Sequence, residues 1–288
     1  MKRMNLVFVL ALTTMSLSAQ MTLNRPEAWI TFHPTIENGV VGVFEHIYRA
    51  GDAADGNSTF NFKTQGGQEL FSLFTRLSVD VRLGQQQTVT FLYQPLTLNT
   101  KTRVGSNDVP GTTLTIDGVT FSNDSPLDIQ YGFDFWRVSW VWDFFPEDNI
   151  ELAAGLSLQF RNASIFFESE KDNKISVSQN LGPVPILKGK AGYWWDNGVY
   201  VQAEVDGFYA SSALFNGAEF PFVGYIWDAA ARVGYDLNDF ADVFLNFRLL
   251  GGGADGTSRS RTLWTESVSP KAFNHLSTYS ITLGARLK

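Results

Sequence analysis

What constrains this chain most is the spacing of its connections. Tight links near residues 84, 146, 197 and 238 alternate with long ones near 58, 115, 175, 216 and 262, and the segments between them repeat with period two. The clearest unit runs from Ile186 to Ala210. Lys188, Lys190, Gly192 and Trp194 alternate with Leu187, Gly189, Ala191, Tyr193 and Trp195. After Asp196-Asn197-Gly198, Tyr200, Gln202, Glu204 and Asp206 alternate with Val199, Val201, Ala203 and Val205. A strand sends successive side chains to opposite faces, so each arm has one polar and one apolar face. A three-residue loop ending in Gly suits a type I turn closed by a left-handed Gly. That turn sets Trp195 opposite Val199, Lys190 opposite Glu204 and Lys188 opposite Asp206.

The same alternation recurs along the chain. Segments near 71–83, 88–101, 128–145, 150–161, 225–236, 242–249 and 279–287 carry it, and 39–49 is placed by elimination, giving ten long strands. Pro95 and Trp136 each coincide with an apparent change of phase, which reads as a β-bulge. Residues 50–68, 104–126, 169–182, 211–221 and 251–274 read as long loops, the second with a small hairpin around Thr113 to Phe121.

The N-terminus has the form of a secretory signal peptide: Lys2 and Arg3, an apolar run from Leu6 to Leu12, then small and polar residues to Ala19. Cleavage is expected near residues 18–20, leaving 21–288 as a single domain. The chain has no Cys, which excludes disulfides, thiolate metal sites and a lipidated leader cysteine. No segment approaches the 18 consecutive apolar residues of a membrane helix. The net charge of -7 argues against a nucleic-acid partner, because phosphate neutralisation needs a basic patch.

An even strand count, short turns at one end and long loops at the other imply an all-β fold, a transmembrane antiparallel up-and-down barrel of ten strands, with eight or twelve as alternatives. Trp140, Trp142, Trp195 and Tyr235 fall near the tight turns, and Tyr209, Tyr225 and Trp227 near the long loops. Together they form the two aromatic belts expected at the lipid interfaces. The chain resembles Gram-negative outer-membrane β-barrel proteins over essentially all of residues 21–288. The runs Phe91-Leu92-Tyr93-Gln94-Pro95-Leu96 and Tyr131-Gly132-Phe133 with Arg137 resemble those of members with no assigned role. The resemblance implies a bacterial outer-membrane location, contact with lipid and lipopolysaccharide, and insertion by the barrel-assembly machinery. One departure is the end Arg286-Leu287-Lys288, where such barrels commonly finish on an aromatic residue.

The expected lumen charge network is Arg76, Asp80, Arg82, Asp134, Arg137, Glu151, Arg161, Lys188, Lys190, Glu204, Asp206, Asp228, Arg232, Arg248 and Arg286. Both signs are needed together, because a desolvated single charge is costly. The sequence offers no catalytic set, cofactor motif or metal site. His33, His46 and His275 are the only histidines, and none lies in a recognisable catalytic motif. The reading is therefore a non-catalytic, porin-like barrel: a narrow channel, or a structural or ligand-contact protein. The alternatives are an outer-membrane hydrolase with a rim site at His46 and His275, or a secreted soluble ligand-binding barrel.

Overall fold

The computed structural model describes residues 29–50, 56–68, 71–146, 149–212, 222–257 and 271–288; the leader expected at residues 1–20 lies outside them. Their strands are β1 (Ile30–Ala50), β2 (Phe60–Asn61), β3 (Ser72–Leu83), β4 (Gln87–Gln94), β5 (Thr97–Arg103), β6 (Thr113–Ile116) and β7 (Val119–Ser122). They continue with β8 (Pro126–Asp143), β9 (Ile150–Ser169), β10 (Lys174–Trp194), β11 (Val199–Ser211), β12 (Phe222–Asn238), β13 (Ala241–Thr257) and β14 (Lys271–Leu287). The long strands pair antiparallel with their neighbours, and β14 pairs back onto β1, closing a barrel of ten strands. β4 and β5 share one place in the wall, both against β8. The hairpin of β6 and β7 stands apart from the wall.

The polarity of this barrel is inverted relative to a protein folded in water. Leu73, Leu283 and Leu187 point outward at 92%, 70% and 62% exposure, whereas Arg137, Asp206, Asp228 and Arg248 are buried inside. An outer belt of that size would be unfavourable in water and is what lipid requires.

The register of the β10–β11 hairpin is the one its turn dictates. Lys190 pairs with Glu204, Lys188 with Asp206 and Trp194 with Tyr200. Trp195 N–H donates to Val199 O at 2.9 Å, and Gly198 adopts φ 83°, a backbone conformation natural to glycine.

Several expectations are corrected. β1 begins at Ile30 rather than Gly39 and pairs with β3 from its first residue. Most of the loop expected at 169–182 is strand, paired from Lys174↔Ser169 onward. Neither apparent phase change is a bulge. Even-numbered residues point inward both before and after Pro95, and odd-numbered residues do so throughout β8, so Leu96, Leu98, Ile129 and Tyr131 are buried inside. β9 follows suit, with Ala163, Ile165 and Phe167 inside. What changes along these strands is the polarity of the lumen, not the facing of the chain. The register does shift in β1, between Val43 and Glu45, which turns His46, Tyr48 and Ala50 inward.

Close packing across the wall depends on glycine at several places, Gly234 among them. A Cβ on Gly234 would lie 2.2 Å from Cζ of Tyr200, whose ring covers that backbone and whose hydroxyl donates to Asp242 at 2.6 Å. Gly234→Leu is expected to destabilise the barrel by about 1–3 kcal/mol through overpacking. The check is a lowered urea midpoint in unfolding from lipid vesicles.

Candidate functional site

The lumen is divided along the barrel axis into layers of different chemistry. At the tight-turn end a mouth of about 350 Å³ is lined by His33, Arg82, Glu151, Trp194, Asp236 and Arg286. Arg82 is exposed there. Arg286 Nε donates to Asp242 at 2.7 Å, and Gln202 Nε2 donates to Glu151 at 2.5 Å.

Further in lies the ionic layer. Arg137 Nη1 sits 2.9 Å from Asp228 and 3.2 Å from Asp206, and its Nε and Nη2 donate to Gln159 Oε1 at 2.9 and 2.7 Å. Arg248 completes the pair around Asp228 at 2.5 Å. Lys188 Nζ bridges Asp206 at 3.0 Å and Glu204 at 3.2 Å, and Lys190 lies 3.8 Å from Glu204. Arg137 stands on β8 and Asp228 on β12, with three strands of wall between them, so this contact crosses the lumen. A second cluster surrounds Glu37. Arg232 reaches it at 3.2 Å and Arg76 at 3.7 Å, while Asn246 and Thr282 donate to it at 2.8 and 2.9 Å. Asp80 accepts from Thr90 Oγ1 at 2.6 Å.

Two residues of the expected network stand apart. Asp134 lies on the outward parity of β8, where its carboxylate accepts the Leu96 N–H at 2.9 Å and closes the break between β4 and β5. Arg161 points inward but above the ionic layer, into a separate cavity. Conversely, Glu37 and Asp242 are central although the expected network omits them. Pro34 and the run Asn38-Gly39 mask the alternation around Glu37, so its facing had no pattern to be read from. Six of the seven expected interface aromatics lie on outward parities of their strands, and Trp195, just past the end of β10, is exposed.

Above the ionic layer the lumen becomes apolar. The chain between β1 and β3 turns inward and lays Phe60 and Phe62, both fully buried, against Phe167 and Tyr131. Phe62 stacks on His46 at 4.0 Å, and His46 Nδ1 pairs with Gln68 Oε1 at 2.8 Å. His46 is thus part of this plug. Its neighbour in the wall, His275, points outward, where Tyr225 OH lies 2.7 Å from Nδ1 and Glu45 3.4 Å from Nε2. The two histidines occupy opposite faces of the wall and do not converge on one site. Among the described residues no group of three or more His, Asp or Glu side chains is placed to hold a metal.

The hairpin of β6 and β7 is pinned to the β9–β10 turn through Asp172. Ser122 N–H and Oγ donate to its carboxylate at 2.7 and 2.5 Å, and Ser125 Oγ at 2.7 Å. Lys174 Nζ donates to Thr120 O. These donors stabilise the ionised carboxylate, led by the Ser122 hydroxyl, and hold the Asp172 pKa at about 2.

Beside the plug, on the side of β9 to β14, a cavity of about 410 Å³ is lined largely by apolar side chains. On β12 the mouth residue Asp236, the ionic residues Arg232 and Asp228, and the cavity residues Ile226 and Gly224 follow in order, so the ionic layer separates the two spaces.

No family model matches the chain, and no curated protein sequence matches it. Its structural neighbours are Gram-negative outer-membrane β-barrels. The outer-membrane protease OmpT from Escherichia coli aligns with a TM-score of 0.46 at 11% identity, over 89% of this chain and 96% of that one. The Pseudomonas putida toluene transporter TodX gives 0.31 at 9%, over 89% and 90%. The outer-membrane protein OprG from Pseudomonas aeruginosa gives 0.30 at 7%, over 88% and 95%. At these identities the likeness concerns the fold alone.

Two outcomes follow. Asp228→Ala leaves the buried Arg137 with Asp206 and Gln159 but takes from Arg248 its close carboxylate, leaving Glu204 at 3.8 Å. It is expected to cost about 3 kcal/mol, read as a lowered guanidinium midpoint. The Asp172 clamp holds above the ordinary carboxylate range and is lost as pH falls from about 4 through about 2, because the folded-state pKa is the lower one. Limited proteolysis within residues 104–125 should therefore quicken over that window, and Asp172→Asn should quicken it already at neutral pH.

Proposed function

We propose that the chain is a non-catalytic bacterial outer-membrane barrel that does not conduct ions and serves as a ligand-contact protein on its long-loop side. The tight turns face the periplasm, the long loops face outward, and the barrel is exported by its leader and inserted by the assembly machinery. Its belt of exposed leucines and aromatics meets lipid and, in the outer leaflet, lipopolysaccharide. One observation carries this reading: the Arg137–Asp228 contact at 2.9 Å joins opposite walls of the lumen. A hydrated ion path through that level would have to break a buried, multiply bridged ion pair, which is costly once either partner is left alone. The aromatic plug around Phe62 closes part of the next level.

The separation of His46 from His275 leaves the rim-hydrolase alternative without a shared site, and the outward apolar belt weighs against a soluble secreted barrel. In planar bilayers the refolded protein is expected to show no conductance steps at neutral pH. Discrete, reproducible current steps from the native barrel would overturn the reading.

A further inference from the structure

On its long-loop half the wall of the barrel parts between β3 and β5, beside the inserted Phe60–Phe62 segment, and again between β10 and β11. Pairing of β10 with β11 runs from Trp194↔Tyr200 to Leu187↔Gly207 and then stops. β10 nevertheless continues in register with β9 as far as Lys174↔Ser169, and β11 continues with β12 through Ala210↔Gly224. Each bank of the seam is therefore held firmly from its far side.

Two prolines account for the seam. Trp194 N–H donates toward β9, to Asn149 O, and Trp195 N–H toward β11, to Val199 O. β10 has no register shift against β9, so its odd-numbered residues aim their backbone at β11. Beyond Leu187 the next two of these are Pro185 and Pro183, which have no N–H to give. The prolines leave the β10 bank without those two donors, which lessens the cost of an unpaired edge in a membrane barrel on that side of the seam. Both prolines lie on the outward parity, level with the lipid-facing Leu158 and Phe160.

Behind the seam lies the 410 Å³ cavity. Pro183, Val184 and Pro185 line it from one bank, Phe208 and Ala210 from the other. Its wall is mostly apolar, with Ile165, Ile226 and Leu250, and Arg161 is the one cationic residue that lines it. The buried Nε of Arg161 has no hydrogen-bond partner. The one lining carboxylate, Asp255, is on the outward parity of β13 and exposed. Arg161 pairs in the wall with Gly182, where an added Cβ would meet nothing within 4 Å. Space is thus open directly beside the cation and next to the seam.

We propose that this cavity binds an amphiphile with one anionic head and a short apolar chain, admitted sideways from the membrane between β10 and β11. Arg161 receives the head, and the apolar wall takes the chain. The proposal rests on the reading of the barrel as a closed ligand-contact protein, and it adds the ligand class and the entrance.

The test uses the full barrel in lipid vesicles and a ten-carbon carboxylate bearing a terminal photoreactive diazirine, with the alcohol of equal length as control. Labelled peptides are located by mass spectrometry. The native protein should be labelled at cavity residues by the carboxylate. Arg161→Gln should lower that labelling roughly tenfold or more while sparing the alcohol, and Arg161→Lys should largely retain it. Gly182→Leu, which projects into open space, should abolish labelling by both probes without loss of heat-modifiable migration on gels. Replacing Pro183 and Pro185 together by Val restores the two donors and should slow labelling from the membrane. Carboxylate labelling that is equal in Arg161→Gln, or confined to lipid-facing positions such as Leu158 and Leu187, would overturn the ligand assignment. An unchanged rate in the double proline variant would overturn the entrance. A failure of the closed-barrel reading would appear separately, as current steps in planar bilayers.

Discussion

The contact between Arg137 and Asp228 is the constraint on which the remainder of the lumen depends. Taking both groups out of water is expensive, and their attraction offsets that cost only if the remaining donors and acceptors are also satisfied. Asp206, Arg248, Lys188, Gln159 and Glu204 supply those partners, each from its own place in the wall. The strands are thereby fixed in register by more than their backbone ladders. A slip of one residue in any of these strands would carry that strand's members of the network to the lipid face.

The network also explains why two halves of one lumen can differ so sharply. Where side chains pair ionically across the barrel, the wall can stay closely packed without an inserted segment. Further toward the long loops the inward positions become Leu96, Leu98, Ile129, Tyr131, Ile165 and Phe167. These residues need an apolar counterpart, and the chain between β1 and β3 provides it with Phe60 and Phe62.

Much of this was legible in the sequence. The ten strands, their order and the β10–β11 register follow from period-two polarity and from Asp196-Asn197-Gly198. The failures share one physical origin. Alternation tells which residues share a face, but it does not tell which face is inside. A change from polar to apolar lining at fixed parity therefore looks the same as a bulge at fixed lining. Pro95 and Trp136 mark such changes of lining, and Asp134, just before Trp136, shares the parity of the outward residues. Glu37 escaped for a different reason, since β1 around Pro34 and Gly39 has no regular pattern to interpret. The plug was illegible because its aromatic pair sits in a loop rich in Gly, Asn and Gln, and only tertiary contact with His46 and Phe167 gives it meaning.

The cross-lumen geometry bears on how such a barrel can be assembled. Glu37 lies on the first wall strand, and its partners Arg232, Asn246 and Thr282 come from the last three. Until β14 meets β1, those charges belong to an open sheet and must remain hydrated. Closure and dehydration of the interior are therefore one event. A nascent chain lacking its last strand would keep Glu37 and Arg232 in water, and its nine-stranded open sheet would lack the dehydrated interior of the closed barrel.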